Sequence, residues 1–94
     1  MIQVKICSLF SSSRYTVRRI VQSTWDELRT DLPSLEVKLS ELADPALINK
    51  YAAVLVLPTL VINEKVVCSG RVPSREEMRG WLKEAALIDA QKGG

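Results

Sequence analysis

The stretch that decides the fold lies in the second half of the chain and reads Leu57-Pro58-Thr59-Leu60-Val61-Ile62-Asn63, then Lys65-Val66-Val67, then Gly70-Arg71-Val72-Pro73-Ser74. Proline has no N–H to donate to a sheet ladder, so Pro58 is expected to precede a strand rather than lie inside one. Two aliphatic runs then predict strands over residues 59–62 and 65–69, joined by the two-residue loop Asn63-Glu64. Glutamate is a poor second residue for such a hairpin loop, because a type I′ turn needs positive φ there. We therefore expect either a strained loop or another turn type.

The first half of the chain shows two kinds of periodicity. Apolar and polar residues alternate from Ile2 to Ile6, which predicts a strand over about residues 2–8. Apolar residues then recur at helical spacing from Val17 to Leu28, which predicts a helix of about four turns that Pro33 ends. The hydroxyls of the serine patch at residues 11–13 are expected to cap this helix.

Three further signals complete the order of elements. Alternation over residues 35–39 predicts a half-buried strand, and Asp44-Pro45 is typical of a helix start, with aspartate as N-cap. Ser74 and Glu77 have the spacing of a capping box, which predicts a last helix. The order β-α-β-α-β-β-α favours an α/β domain with one mixed sheet and helices on both faces. We expect one domain over residues 1–88 and a flexible tail over residues 89–94.

Composition excludes several chemistries. The chain has 94 residues, a formal net charge of +2, two cysteines and no histidine. Without histidine there is no Ser–His or Cys–His nucleophile and no zinc site of the usual types, so we expect no metal. The small net charge does not favour nucleic acid or an anionic membrane as a partner. The longest uncharged stretch is too short to span a bilayer and no export signal is evident, so we expect a cytoplasmic protein.

The second-half run resembles the small thioredoxin-like and glutaredoxin-like redox proteins. Members of that family carry a similar segment in which a proline opens the third strand and Gly-Arg-Val-Pro-Ser follows the fourth. The resemblance implies a thioredoxin-like fold with a four-stranded sheet in the order 2-1-3-4. It also implies a cis peptide bond at Pro58, facing a redox site.

The redox motif of that family is missing. A Cys-x-x-Cys should lie at the start of the first helix, where the helix dipole lowers the pKa of a thiol. The positions at that place are Ser11-Ser12-Ser13-Arg14, and no cysteine lies between residues 8 and 67. A serine hydroxyl cannot form a mixed disulfide, so dithiol–disulfide exchange is not expected there.

The two cysteines, Cys7 and Cys68, fall on different predicted strands. In the strand order that the resemblance implies, the third strand separates them by two spacings of the sheet, about 10 Å. A disulfide needs Cα atoms within about 7 Å, so we expect no bridge between them. The first interpretation is that both are small buried core residues. The alternative is that Cys7, or Cys68, acts as a lone nucleophile.

The serine-rich helix start has two interpretations of its own. Helix N–H groups and hydroxyls can bind an anion, and Arg14 and Arg18 place positive charge where the helix dipole disfavours it. The alternative is an ordinary serine N-cap with solvated arginines. The segment is also similar to the helix start of serine-type glutathione transferases, in which a later serine would fall at Ser69. That resemblance implies glutathione as a ligand, although 94 residues leave no room for the second domain of those enzymes.

Three hypotheses for the function remain. The first is a thioredoxin-fold module without dithiol chemistry that binds a protein or peptide, for example a redox protein. Its groove would be formed by Ser11, Ser12, Ser13 and Arg14 on one side and by Leu57, Pro58 and Thr59 on the other, with Ser69 nearby. The second is a monothiol or glutathione-linked redox protein that uses Cys7 or Cys68. The third is a structural domain, monomeric or homodimeric, without a small-molecule site or cofactor.

Overall fold

The computed structural model describes residues 1–50 and 58–92, with side chains as far as Ile88. Its elements follow one another as β1 (Ile2–Cys7), α1 (Ser11–Leu28), β2 (Val37–Leu42), α2 (Pro45–Ile48), β3 (Thr59–Ile62), β4 (Lys65–Ser69) and α3 (Arg75–Lys92). This order confirms the α/β domain that the sequence predicts. The helix α3 continues four residues beyond the domain boundary expected at residue 88. Gly93 and Gly94, the end of the expected tail, lie outside the described residues.

The four strands form one mixed sheet in the order β2-β1-β3-β4, as the resemblance implied. The strand β1 is parallel to β2 and antiparallel to β3, and β4 pairs antiparallel with β3. At one end of the sheet the register aligns Leu42, Cys7, Thr59 and Ser69 side by side, one from each strand. The strand β1 ends in this row and β3 starts in it. The helix α1 begins just beyond it, so the row brings the start of α1 and the start of β3 to the same end of the sheet.

The core has a larger and a smaller part. The larger one packs α1 and α3 on one face of the sheet, through Val17 and Val21 of α1 and Met78 and Leu82 of α3. On the smaller one, Cys7 and Val61 pack with Ile48 of α2. Helices therefore pack on both faces, as predicted. All four residues of β3 are buried, because this central strand is covered from both sides.

Two boundaries of α1 differ from expectation. The N-cap residue is Phe10, and none of the described side chains makes a capping hydrogen bond there, so the prediction of a serine cap is wrong. The three serines lie inside the first turn instead. At its other end α1 stops at Leu28 and turns back through hydrogen-bonded residues, well before Pro33.

The strand β2 starts later and runs further than the alternating segment predicts. The indole Nε1 of Trp25 donates a hydrogen bond of 3.1 Å to the carbonyl oxygen of Leu35. That carbonyl is fixed by α1, and regular strand geometry begins only at Val37. The side chain of Leu35 is nevertheless buried in the larger core, so the apolar pattern identified a core residue but not the strand boundary.

The β3–β4 hairpin has the two-residue loop that the sequence predicts. Asn63 and Glu64 have φ values of 50° and 67°, so both lie in the left-handed region that a type I′ turn requires. The glutamate is therefore strained, as expected for a residue with a Cβ. Two contacts with β1 hold the loop: Asn63 exchanges hydrogen bonds with the backbone of Gln3, and the Glu64 carboxylate pairs with Lys5.

Within the described part of the chain, no helix combines the length and the apolar character that crossing a lipid bilayer demands.

Candidate functional site

The candidate site lies at the end of the sheet where β1 gives way to α1. Ser8, the first residue after β1, is fully buried and makes three hydrogen bonds. Its N–H donates to the carbonyl of Leu42 at 3.1 Å, and its hydroxyl accepts from the N–H of Phe10 at 3.2 Å. Its carbonyl accepts from the guanidinium of Arg14 at 2.8 Å. The turn into α1 is thus fixed from both sides.

The first turn of α1 contains the residues that stand where the resemblance places a Cys-x-x-Cys. Ser11 is the first residue of the helix and is exposed, as is Ser12, whereas Ser13 and Arg14 are half-buried. The first turn carries no acidic residue. Its amide groups and partial positive charge therefore face outward next to Ser11.

The arginines of this region have a partner that the sequence analysis missed. Glu41, near the end of β2, accepts from Arg18 at 2.9 Å and lies 3.5 Å from the Nε atom of Arg14. Parallel pairing of β1 and β2 brings Glu41 to the end of the sheet where α1 begins. This carboxylate offsets part of the cost of arginines near a helix N-terminus, so their position alone does not require a ligand.

Two apolar side chains border the helix start and were not singled out by sequence. Leu9 is 41% exposed and Phe10 is 69% exposed, in the short turn between β1 and α1. The sequence does show two large apolar residues between a predicted strand and a serine-rich helix start, which is an unusual place for them. Nothing in periodicity, however, distinguishes an exposed turn residue from a core residue.

The opposite side of the site is formed by the start of β3 and the end of β4. The hydroxyl of Thr59 lies 3.4 Å from that of Ser69, and the N–H of Gly70 donates to the carbonyl of Pro58 at 2.9 Å. Gly70 has a φ of +79°, which a residue with a side chain adopts only with strain. Leu57, and with it the bond that the resemblance makes cis, lies outside the described residues.

The two cysteines are free and buried on opposite faces of the sheet. Cys7 is fully buried in the small core beside α2, and Cys68 is 6% exposed in the larger core. The strand β3 lies between them, because Cys7 pairs with Thr59 and Cys68 with Leu60. This placement agrees with the expectation that they form no bridge.

Neither thiol has the environment of a nucleophile. Desolvation by burial raises the pKa of Cys7, opposed in part by the positive charge of Lys5. Burial likewise raises the pKa of Cys68, whose thiol lies 3.6 Å from the carbonyl oxygen of Arg71. A reactive cysteine needs a side chain that is exposed and a pKa low enough for the thiolate to form. Cys7 and Cys68 are buried and their pKa values are raised, so they meet neither condition.

A capping network holds the loop between β4 and α3 against the site. The hydroxyl of Ser74 accepts from the N–H of Glu77, whose carboxylate accepts in turn from the Ser74 N–H, so the predicted capping box is confirmed. The same carboxylate forms a two-bond ion pair with Arg71, at 2.7 and 2.6 Å. These hydrogen bonds lower the pKa of Glu77 to about 2.

Glu77→Gln is expected to lower the melting temperature by a few degrees at pH 7, and by less as the pH falls. Because the folded-state pKa lies below the unfolded value of 4.5, the carboxylate stabilises the fold above that value. This contribution is lost as the pH falls from about 5 towards 2. Thermal unfolding followed by circular dichroism at several pH values measures the difference. Glu76→Gln, in the same helical turn, is the control, and an equal loss in both variants would contradict the role given to the Arg71 pair.

Comparison with known proteins bears on the family of the chain. Among curated proteins, no significant match to the sequence is found. A family model described as thioredoxin domain matches residues 14–83, from the first turn of α1 into α3. The serines at residues 11–13 lie just before the matched region. Since the match spans well over half of the 94 residues and the fold agrees with it, the chain belongs to the thioredoxin-domain family.

Proposed function

We propose that this protein is a thioredoxin-domain module that no longer carries out dithiol chemistry and instead binds an extended segment of a partner protein. The binding groove lies between residues 11–14 at the start of α1 and Pro58–Thr59 at the start of β3. The observation that carries the proposal is that this end of the sheet presents exposed apolar side chains and no accessible thiol.

The state of the cysteines supports the non-catalytic half of the proposal. The sequence has no cysteine between residues 8 and 67, so the start of α1 contains no thiol. Cys7 is the nearest one along the chain, but its side chain packs with Ile48 and Val61 away from solvent. The same burial speaks against the alternatives in which Cys7 or Cys68 captures a disulfide or glutathione, because a protonated, buried thiol attacks neither.

The residues around the helix start support the binding half. Phe10 occupies the N-cap, a position at which serine, threonine, aspartate or asparagine is worth about 1 kcal/mol more. Its ring is also mostly exposed, which adds the cost of hydrating an apolar surface. A position that stabilises neither the helix nor the core is explained by a contact made outside the chain, and exposed aromatic side chains often anchor such contacts.

Dimerisation through the β4 edge of the sheet is less well supported. The strand β4 is an edge strand, but its register with β3 shifts between Leu60 and Val61, which leaves an extra residue in β4. A bulge of this kind twists an edge strand and hinders pairing with a second strand. A purely structural domain would also leave the exposure of Phe10 unexplained.

The test is a selection of peptides from a random library on the immobilised protein, followed by affinity measurements on variants. We expect Phe10→Ser to lower the affinity for the selected peptides by about tenfold or more, which is the effect of removing an aromatic anchor. Leu87→Ser, which changes an exposed apolar residue of α3 far along the chain, should leave their affinity unchanged. Equal affinity for wild type and Phe10→Ser would contradict the assigned groove.

The same protein preparation tests the proposed loss of dithiol chemistry. Reduction of insulin disulfides in the presence of dithiothreitol should proceed at the rate of the reductant alone. Acceleration to the rate of an ordinary thioredoxin would refute the loss of dithiol chemistry, independently of the outcome for the peptides.

A further inference from the structure

Two open clefts lie side by side on the outer surface of α1 and share the half-exposed Tyr15. The first, of about 570 Å³, extends from Ser11 to Arg18 and reaches Glu41 of β2. The second, of about 310 Å³, extends from Tyr15 to Ser23 and reaches Arg75 at the start of α3. Together they extend along the helix from Ser11 to Ser23, which corresponds to a rise of about 18 Å. An extended peptide of about five or six residues covers that length.

The clefts carry more positive than negative charge. Their lining, taken from the described residues, contains four arginines (Arg14, Arg18, Arg19 and Arg75) but a single carboxylate, Glu41. Arg14 and Arg18 share that carboxylate. The four arginines and one glutamate give the lining a charge of +3, whereas the whole chain has a net charge of only +2.

The second cleft holds the arginines with the weakest charge compensation. Arg75 donates to the hydroxyl of Ser23 at 2.7 Å and lies 3.8 Å from Glu27, a carboxylate that pairs closely with Arg79. Arg19 places its guanidinium 5.8 Å from the centre of the Tyr15 ring. Within residues 1–50 and 58–88, no ion pair of Arg19 is seen.

We propose that these clefts bind an acidic, extended segment of the partner protein, with carboxylates at Arg19 and Arg75 and the chain passing over Tyr15. This proposal rests on the proposed function and adds the chemistry of the partner, since the first cleft begins at Ser11, within the groove assigned above. Charge complementarity selects an acidic peptide, and the serine hydroxyls of the clefts offer hydrogen bonds to its backbone.

A nucleic acid is a poorer fit to the same surface. A polynucleotide carries one phosphate per nucleotide and is usually bound by a densely basic domain. Here carboxylates are interspersed among the arginines, with Glu41 inside the first cleft and Glu27 next to the second. The lining carries four arginines and one carboxylate, which is little charge for a polynucleotide whose affinity comes from neutralising many phosphates, whereas an acidic peptide needs only the carboxylates at Arg19 and Arg75.

The test measures fluorescence anisotropy of a fluorescein-labelled hexaglutamate peptide titrated with the protein at low salt. The double variant Arg19→Gln/Arg75→Gln should bind it about three- to tenfold more weakly, the combined effect of two exposed ion pairs. The matched control is Arg29→Gln/Lys83→Gln, which removes two exposed positive charges away from the clefts, one at the C-cap of α1 and one on α3. Its affinity should stay within about twofold of wild type, and a hexaglutamine peptide should not bind.

Raising the salt to 0.5 M should weaken hexaglutamate binding to wild type, since the Debye length falls below about 5 Å. Equal weakening in both double variants would overturn the proposal, because binding would then follow net charge alone. Absence of saturable hexaglutamate binding would also overturn it, and tighter binding of a six-nucleotide oligothymidine would assign the surface to nucleic acid instead. None of these results bears on insulin reduction or on the effect of Phe10→Ser, so failure here is distinct from failure of the proposed function.

Discussion

A Ser11→Cys variant is expected to react with an aromatic disulfide reagent at pH 7 at least about tenfold faster than either native thiol. Ser11 is exposed at the first position of α1, where the unpaired N–H groups and the helix dipole favour a thiolate. Cys7 and Cys68 are buried, and burial raises the pKa of both. They become accessible only when the structure opens, which limits their rate.

The control for this prediction is Gln22→Cys, an exposed position of the same helix but three turns further along. This control separates the effect of exposure on the reactivity of a thiol from the effect of the helix terminus. The Ser11→Cys thiol should have the lower pKa of the two, measured from the pH dependence of the reaction rate, because the dipole acts within the first turn. Equal pKa values would mean that this helix start does not activate a thiol, and the place assigned to the missing motif would be wrong.

A Leu82→Ala variant is expected to lose about 2–5 kcal/mol of unfolding free energy, the usual range for a fully buried leucine. Leu82 is completely buried and packs α3 onto the larger core of the sheet. Truncation removes apolar contacts and leaves a cavity that the surrounding β-branched side chains cannot close. In a domain of this size the loss is a large fraction of the total stability.

Urea unfolding followed by tryptophan fluorescence measures the effect, since Trp25 and Trp81 both pack against the same core. Leu87→Ala is the matched control, because Leu87 is 66% exposed on the same helix. Its unfolding free energy should change by less than about 0.5 kcal/mol. If both variants were equally destabilised, the loss would not depend on burial, and the assigned core would be wrong, since alanine is at least as good a helix former as leucine.

The fold was largely predictable from local patterns. Pro58 before an aliphatic run, the loop Asn63-Glu64 and the pair Ser74 and Glu77 each specify a boundary through the chemistry of a few adjacent residues. Both strands of the β3–β4 hairpin and the capping box agree with those expectations. The boundary that failed at Leu35 depends on a contact between elements, since the indole of Trp25 in α1 fixes the Leu35 carbonyl. The one that failed at Phe10 is set by a short-range hydrogen bond from the Phe10 N–H to the Ser8 hydroxyl, which apolar periodicity does not reveal.

The candidate site was predictable only in part. The absence of a thiol at the helix start follows from the sequence, because it is a statement about which residue types are present. The proposed groove combines that start with β3, and their proximity follows from the strand order that the resemblance implies. The exposure of Leu9 and Phe10 could not, since an apolar residue in a turn packs inward or outward according to what the rest of the chain places over it.

The sequence by itself determined that no cysteine lies at the start of α1 and that Cys7 and Cys68 lie on separate strands. Both conclusions concern composition and order along the chain. Only the tertiary structure decided that Glu41 compensates Arg14 and Arg18 and that α1 and α3 bring Arg19 and Arg75 to one cleft. The physical reason is that charge complementarity acts through space, between residues that β2, α1 and α3 contribute from distant parts of the chain.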